Sequence, residues 1–154
     1  MREFGGGSYR GDRGSAKSFE TPARGISDQI NAYIENGGNN DAQMNIFVSN
    51  GLIYRLIERE KGELSNSQIR KFYDDLIKVK DANDQKKLIK IELSAAYAKG
   101  RGVVSYGLYD IITKSVESIL KSKDNSKLER FKNVFEAIVA YHTLITRSKG
   151  GGNE

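Results

Sequence analysis

A single proline, Pro22, stands in a chain of 154 residues, and beyond it apolar residues recur at spacings of three and four as far as Ile145. Proline removes a backbone donor and clashes with the preceding turn, so a long proline-free stretch with a period near 3.6 predicts helix nearly throughout. No comparable stretch alternates apolar and polar residues as a half-buried strand would. The fold class read from the sequence is all-α, a compact helical bundle of about five to six helices with a disordered N-terminal tail.

The punctuation divides the bundle. A short helix is predicted over Ile26 to Glu35, ending at Gly37-Gly38. A second starts near Asp41 with Met44, Phe47, Val48, Leu52, Leu56 and Ile57 as its inner face, and Asn50-Gly51 kinks or breaks it, glycine costing a helix about 1 kcal/mol against alanine. Ser65 followed by Gln68 has capping-box spacing, so a third helix begins near Asn66 and buries Ile69, Phe72, Tyr73 and Leu76. A fourth runs from Gln85 to about Lys99, with Gly100 and Gly102 suited to its exit. The fifth spans Val103 to Ser122 with Val104, Leu108, Ile111, Ile112, Val116 and Ile119 inward. The last spans Ser126 to Arg147 and carries Leu128, Phe131, Phe135, Ile138 and Ile145 on one stripe.

Residues 1–25 are rich in Gly, Ser and Arg, with isolated Phe4, Tyr9 and Phe19 and too few aliphatics to bury a core. They are expected to be a disordered tail, 26–148 the helical domain, and 149–154 a flexible glycine-rich end. The Arg-Gly leader either holds single-stranded RNA through guanidinium contacts and stacking or serves solubility alone. No apolar run approaches the roughly 18 residues of a membrane span, and charged and glycine-rich residues stand where a signal peptide would be hydrophobic. A cytoplasmic protein without a membrane partner is expected. The absence of cysteine agrees with that compartment and removes disulfides, thiolate metal sites and cysteine nucleophiles.

The formal net charge of +5 favours anionic partners, and its placement is uneven. From Arg70 to Arg101 nine basic residues stand against five acids. Projected at 100° per residue, the fourth helix gathers Lys86, Lys87, Lys90, Ser94, Tyr97 and Arg101 within an arc of about 100°, opposite Leu88, Ile89, Ile91, Leu93, Ala95, Ala96 and Ala98. Such a stripe is either ordinary solvated surface or a track for phosphates. No acid interrupts it, and it ends at a Gly-Arg-Gly exit where backbone can approach a ligand. Tyr97 either stacks a base or lies half buried with its hydroxyl in water. Glu92 falls on the apolar side of the projection, which either pairs it with Arg70 or another cation or means that the helical phase is displaced.

Catalytic signals are weak. His142, the only histidine, lies on the apolar stripe of the last helix between Ile138 and Ile145 and reads as core. Asp74 and Asp75 are adjacent on a helix and cannot face one point. No phosphate-cradling glycine loop or dinucleotide fingerprint is present, so no cofactor, metal or enzyme activity is expected.

Three segments in order carry a family resemblance: Ser67-Gln68-Ile69-Arg70-Lys71-Phe72-Tyr73, then Ala95-Ala96-Tyr97-Ala98-Lys99-Gly100-Arg101, and last Phe135-Glu136-Ala137-Ile138-Val139-Ala140-Tyr141-His142. Over roughly residues 40–147 they resemble the small helical subunit of type III-A CRISPR effector complexes, the Csm complexes. The Arg-Gly leader departs from the usual compact form. The resemblance implies a non-catalytic antiviral subunit whose copies stack into a filament beside the backbone subunits that carry the guide RNA. Its expected partners are the target RNA and guide RNA duplex, the backbone RNA-binding subunits, the large polymerase-like subunit and copies of itself. It implies RNA contacts at Arg70 and Lys71 in the first segment and at Lys99 and Arg101 in the second, while the third is structural. Lys86, Lys87, Lys90 and Tyr97 join these candidates from the helical projection alone. A helical protein-interaction module whose charge serves only solubility is the alternative function. Sequence-specific DNA binding is disfavoured by the lack of a clear helix-turn-helix pair with a polar recognition helix.

Overall fold

A computed structural model describes residues 22–151, with side chains for residues 25–147. Of the expected tail, residues 1–21 lie outside the described residues, as do 152–154 of the expected C-terminal end. The described chain is all-helical: α1 Pro22–Asn36, α2 Asn40–Phe47, α3 Leu52–Glu60, α4 Asn66–Ile77, α5 Gln85–Arg101, α6 Tyr106–Ser122 and α7 Asn125–Gly151, with one 3-10 turn at Lys61–Glu63. This is the expected six-helix order with its second member divided in two.

Local chemistry sets the boundaries. Pro22 opens α1, where its missing N–H would have had no intrahelical partner. The second helix breaks at Val48 to Gly51 because Asn50 takes the left-handed conformation at φ 68°. At Gly51 a Cβ would lie 2.5 Å from the Asn45 carbonyl oxygen, so no larger residue fits that turn. Ser65 caps α4 by accepting from the Gln68 amide at 3.3 Å. Gly102 closes α5 at φ 78°, its amide reaching back to the Ala98 and Lys99 carbonyls. The fifth expected helix starts three residues later than its apolar pattern suggested, because Ser105 is the N-cap rather than an interior residue.

The buried side chains form one cluster to which every helix contributes. The long α7 packs on α3 and α4, while α6 lies between α1 and α5. Phe72 of α4 meets Phe135 of α7 edge-on at 6.4 Å, and Phe131 meets Phe135 edge-on at 6.2 Å. Where α1 crosses α6, the buried Asp110 accepts from Ser27 at 3.3 Å and Asn31 at 3.0 Å and pairs with Lys114 at 3.4 Å.

Two parts of the expected core are corrected. Met44 is 60% exposed and Val48 also faces outward, while Ile46 and Ile53 are buried. The turn at Asn50 resets the helical phase, so one inner stripe cannot run through both halves. On α5, Ile89, Leu93 and Ala96 are exposed, and the buried residues are Leu88, Ile91, Ala95 and Ala98.

Burial shifts two ionisable groups, Glu60 and His142, in opposite directions. Glu60, at the end of α3, accepts from the Ser105 hydroxyl and faces the amides of Gly107 and Leu108 at the start of α6. Burial pushes its carboxyl above the ordinary carboxylate value, while these donors pull it back. His142 is 2% exposed, as expected of a core residue, and among the described residues neither ring nitrogen has a partner of hydrogen-bonding geometry. Burial pushes its imidazole below the usual 6.5, against a smaller opposing pull from the Leu64 backbone.

Gly107 has room only for hydrogen, since a Cβ there would stand 2.6 Å from Glu60 Oε2 and 2.9 Å from Leu56 Cδ1. Gly107→Ala is expected to destabilise the fold by about 1–3 kcal/mol, read as a lower thermal midpoint by circular dichroism. His142 prefers its neutral form more strongly folded than unfolded, so its contribution is full above pH 6.5 and is lost as pH falls below it. His142→Leu should therefore reduce the drop in thermal midpoint between about pH 7.5 and about pH 5.5. An identical drop in both proteins would exclude this histidine as its source.

Candidate nucleic-acid interface

Helix α5 is oriented by what it buries. Leu88, Ile91, Ala95 and Ala98 recur at spacings of three and four and face the interior, where α5 packs between α4 and α6. The helix must therefore present Lys86, Lys90, Tyr97 and Arg101 to solvent, and all four are exposed. The Arg101 guanidinium carbon lies 5.5 Å from the centre of the Tyr97 ring, a cation–π pair at the exit of the helix. Among the described residues no ion pair engages Lys86, Lys90 or Arg101. Lys87 is exposed too but is held by Asp84 at 3.5 Å, one turn earlier.

Tyr97 is 70% exposed rather than half buried, so its ring is open to stacking. Lys99 departs from the stripe: it is partly buried and, seven residues from Glu92, shares the far flank of the helix. Among the described residues Glu92 pairs with no cation. Burial first, and then hydrogen bonding and charge from Glu117 on α6, push its carboxyl above the usual range. The displaced helical phase is the alternative that the structure supports.

Arg70 and Lys71 belong to α4, which packs beside α5. Both are exposed, but as neighbours in a helix they diverge by about 100° around Ile69 and Phe72. Lys71 is paired with Asp75 at 3.2 Å, and Asp74 follows Arg70 by one turn. The structure thus gathers four candidates, Lys86, Lys90, Tyr97 and Arg101, along one side of α5. Lys87 and Lys99 lie on its flanks, and Arg70 and Lys71 are on the neighbouring helix.

Sequence projection missed the apolar part of this surface. Ile89 is exposed and Leu93 is 65% exposed, directly alongside the cations. The signal was available: the 88, 91, 95, 98 series completes an inner stripe without them. Elsewhere, a cleft of about 480 Å³ between α1 and α6 is lined by Asn31, Glu35, Lys114 and Ser115 among others. A groove of about 520 Å³ between α1, α2 and α7 is lined by Tyr33, Phe47 and Tyr141. Among the described residues no group of His, Asp and Glu could hold a metal ion, and no helix is long and apolar enough to cross a membrane.

The family model described as Csm2 Type III-A matches residues 55–148, which contain α4, α5, α6 and most of α7. No curated protein and no solved structure matches the chain significantly.

Proposed function

Because the chain belongs to the Csm2 Type III-A family, whose model spans more than half of it, we propose that it grips RNA inside a type III-A CRISPR complex. Membership makes it a small subunit of that complex, associated with the other Csm subunits. Beyond this, we read it as a non-catalytic cytoplasmic subunit that holds RNA without regard to sequence, its copies stacking beside the guide-bearing backbone so that the target strand is kept along the guide.

The carrying observation is the solvent side of α5, where Lys86, Lys90 and Arg101 are exposed without acidic partners and Tyr97 stands among them. Ammonium and guanidinium groups at intervals along a rigid helix neutralise phosphates and read no base edges, so affinity is general and falls steeply with salt. Contacts with protein neighbours have their own support. Met44, Val48 and Leu144 are exposed apolar residues on or just past α2 and on α7.

Replacing Lys86, Lys90 and Arg101 together by Glu is expected to lower affinity for single-stranded RNA at least roughly ten-fold at about 150 mM salt. The slope of log affinity against log salt should shrink by about 2, since each lost phosphate contact on a single strand removes about 0.7. Helicity should be unchanged because all three side chains are exposed. Lys99→Glu, on the far flank, should cost less. Unchanged affinity of the triple variant in a titration would reject this surface as the RNA site.

A further inference from the structure

Ile89, Leu93 and Tyr97 succeed one another at intervals of four residues along the exposed side of α5, forming a continuous apolar ridge. Isolated exposed apolar residues need no explanation, but this row is contiguous, and among the described residues Leu93 and Tyr97 are the two most exposed large hydrophobic side chains. Lys86 and Lys90 run along one side of its start, and Arg101 continues its row one turn beyond Tyr97. On the other side stand Ala96 and Gly100, exposed and too small to rise above the helix surface.

We propose that this ridge receives the bases of a target RNA strand before it pairs with the guide, its phosphates lying on Lys86, Lys90 and Arg101, so that the site takes single strands in preference to duplex. The inference rests on the RNA-gripping function proposed for this surface and specifies its ligand. A duplex stacks its base faces inward and offers a protein phosphates, 2′-hydroxyls and base edges, none of which gains from contact with Ile89 or Leu93. An unpaired strand exposes the flat, weakly hydrated faces of its bases, which apolar and aromatic side chains cover. Along α5 the ridge residues rise by about 6 Å per step, as do Lys86 and Lys90, so two cations flank the first turns of the ridge and Arg101 stands at its far end. Ala96 and Gly100 leave a shelf beside the ridge on which a planar group can lie. At its end Arg101 sits over Tyr97, adding a guanidinium plane to the ring.

A protein helix laid on the same ridge gains from the three cations only where it brings acids against them. Pairing of α5 with the α5 of a second copy would set like charges against one another. The charge around the ridge therefore favours a polyanion that carries its own planar apolar groups.

The test uses the full-length chain and three probes of equal length: a mixed-sequence single-stranded RNA, the same RNA as a duplex, and a strand whose central residues are abasic. The wild-type protein is expected to bind the intact strand roughly ten-fold more tightly than the abasic one, the order that one stacked base supplies. Leu93→Ser combined with Tyr97→Ser should lose most of that preference while leaving the salt slope unchanged, because no cation is removed. Helicity by circular dichroism should be unchanged. Equal binding of intact and abasic strands, or of strand and duplex, overturns the proposal while the RNA-gripping function stands. Wild-type protein that binds none of the probes overturns both. A Leu93→Ser, Tyr97→Ser variant with unaltered RNA binding but altered self-association or assembly would make the ridge a protein contact and overturn the proposal.

Discussion

The rotation of α5 about its own axis is the constraint on which the candidate surface depends, and it is set by four small or medium apolar residues. Leu88, Ile91, Ala95 and Ala98 are almost wholly buried, and the two alanines allow α5 to lie close against its neighbours. Burial of apolar surface is worth roughly 25 cal/mol per Å², so turning the helix to hide Leu93 or Ile89 would expose Leu88 and Ile91 and gain nothing. The core thus dictates which charges meet solvent. Lys86, Lys90 and Arg101 face outward because of the apolar residues behind them.

The far end of α5 is fixed as firmly as its face. Gly102 turns the chain in a conformation that glycine adopts without strain, and the Ser65 amide donates to the Val103 carbonyl at 3.2 Å across to the start of α4. Immediately beyond, the Ser105 hydroxyl and the first amides of α6 converge on the buried Glu60 carboxyl. A carboxylate at a helix N-terminus satisfies amides that have no intrahelical acceptor and complements the helix dipole. Glu60 ties the end of α3 to the start of α6, and Arg101 and Tyr97 project from the last turns of a helix whose exit is anchored on both sides. Their 5.5 Å contact is therefore presented by rigid backbone rather than by a loop.

Much of the bundle was legible in the sequence because period and punctuation agreed. The α4 cap at Ser65, the exit at Gly102, the inner stripe of α6 and the burial of His142 all come from local chemistry. Where the reading erred, two signals competed. In the second helix a stripe through Met44 and Val48 was extended across Asn50, but a left-handed residue rotates the helix after it, and Ile46 and Ile53 became the buried pair. On α5 there were more apolar residues than buried positions, so Ile89, Leu93 and Ala96 drew the expected inner face too wide. Motif similarity groups Lys99 with Arg101, yet two residues on a helix are separated by about 200°, which puts them on different sides.

That excess of apolar residues is itself informative about the surface. A helix kept soluble by charge alone has no use for leucine, isoleucine and tyrosine in its solvent-facing row, and their exposure raises the tendency to associate. The attraction of surface cations for an anionic polymer weakens as salt rises and is screened beyond about 8 Å at physiological salt. Apolar contact is insensitive to that screening. A site combining both retains affinity where electrostatics weaken, and the ratio of the two contributions, read from the salt dependence of binding, reports which side chains meet the ligand. On α5 cations stand at both ends of the apolar row, so a ligand that runs from one end to the other must lie within reach of it.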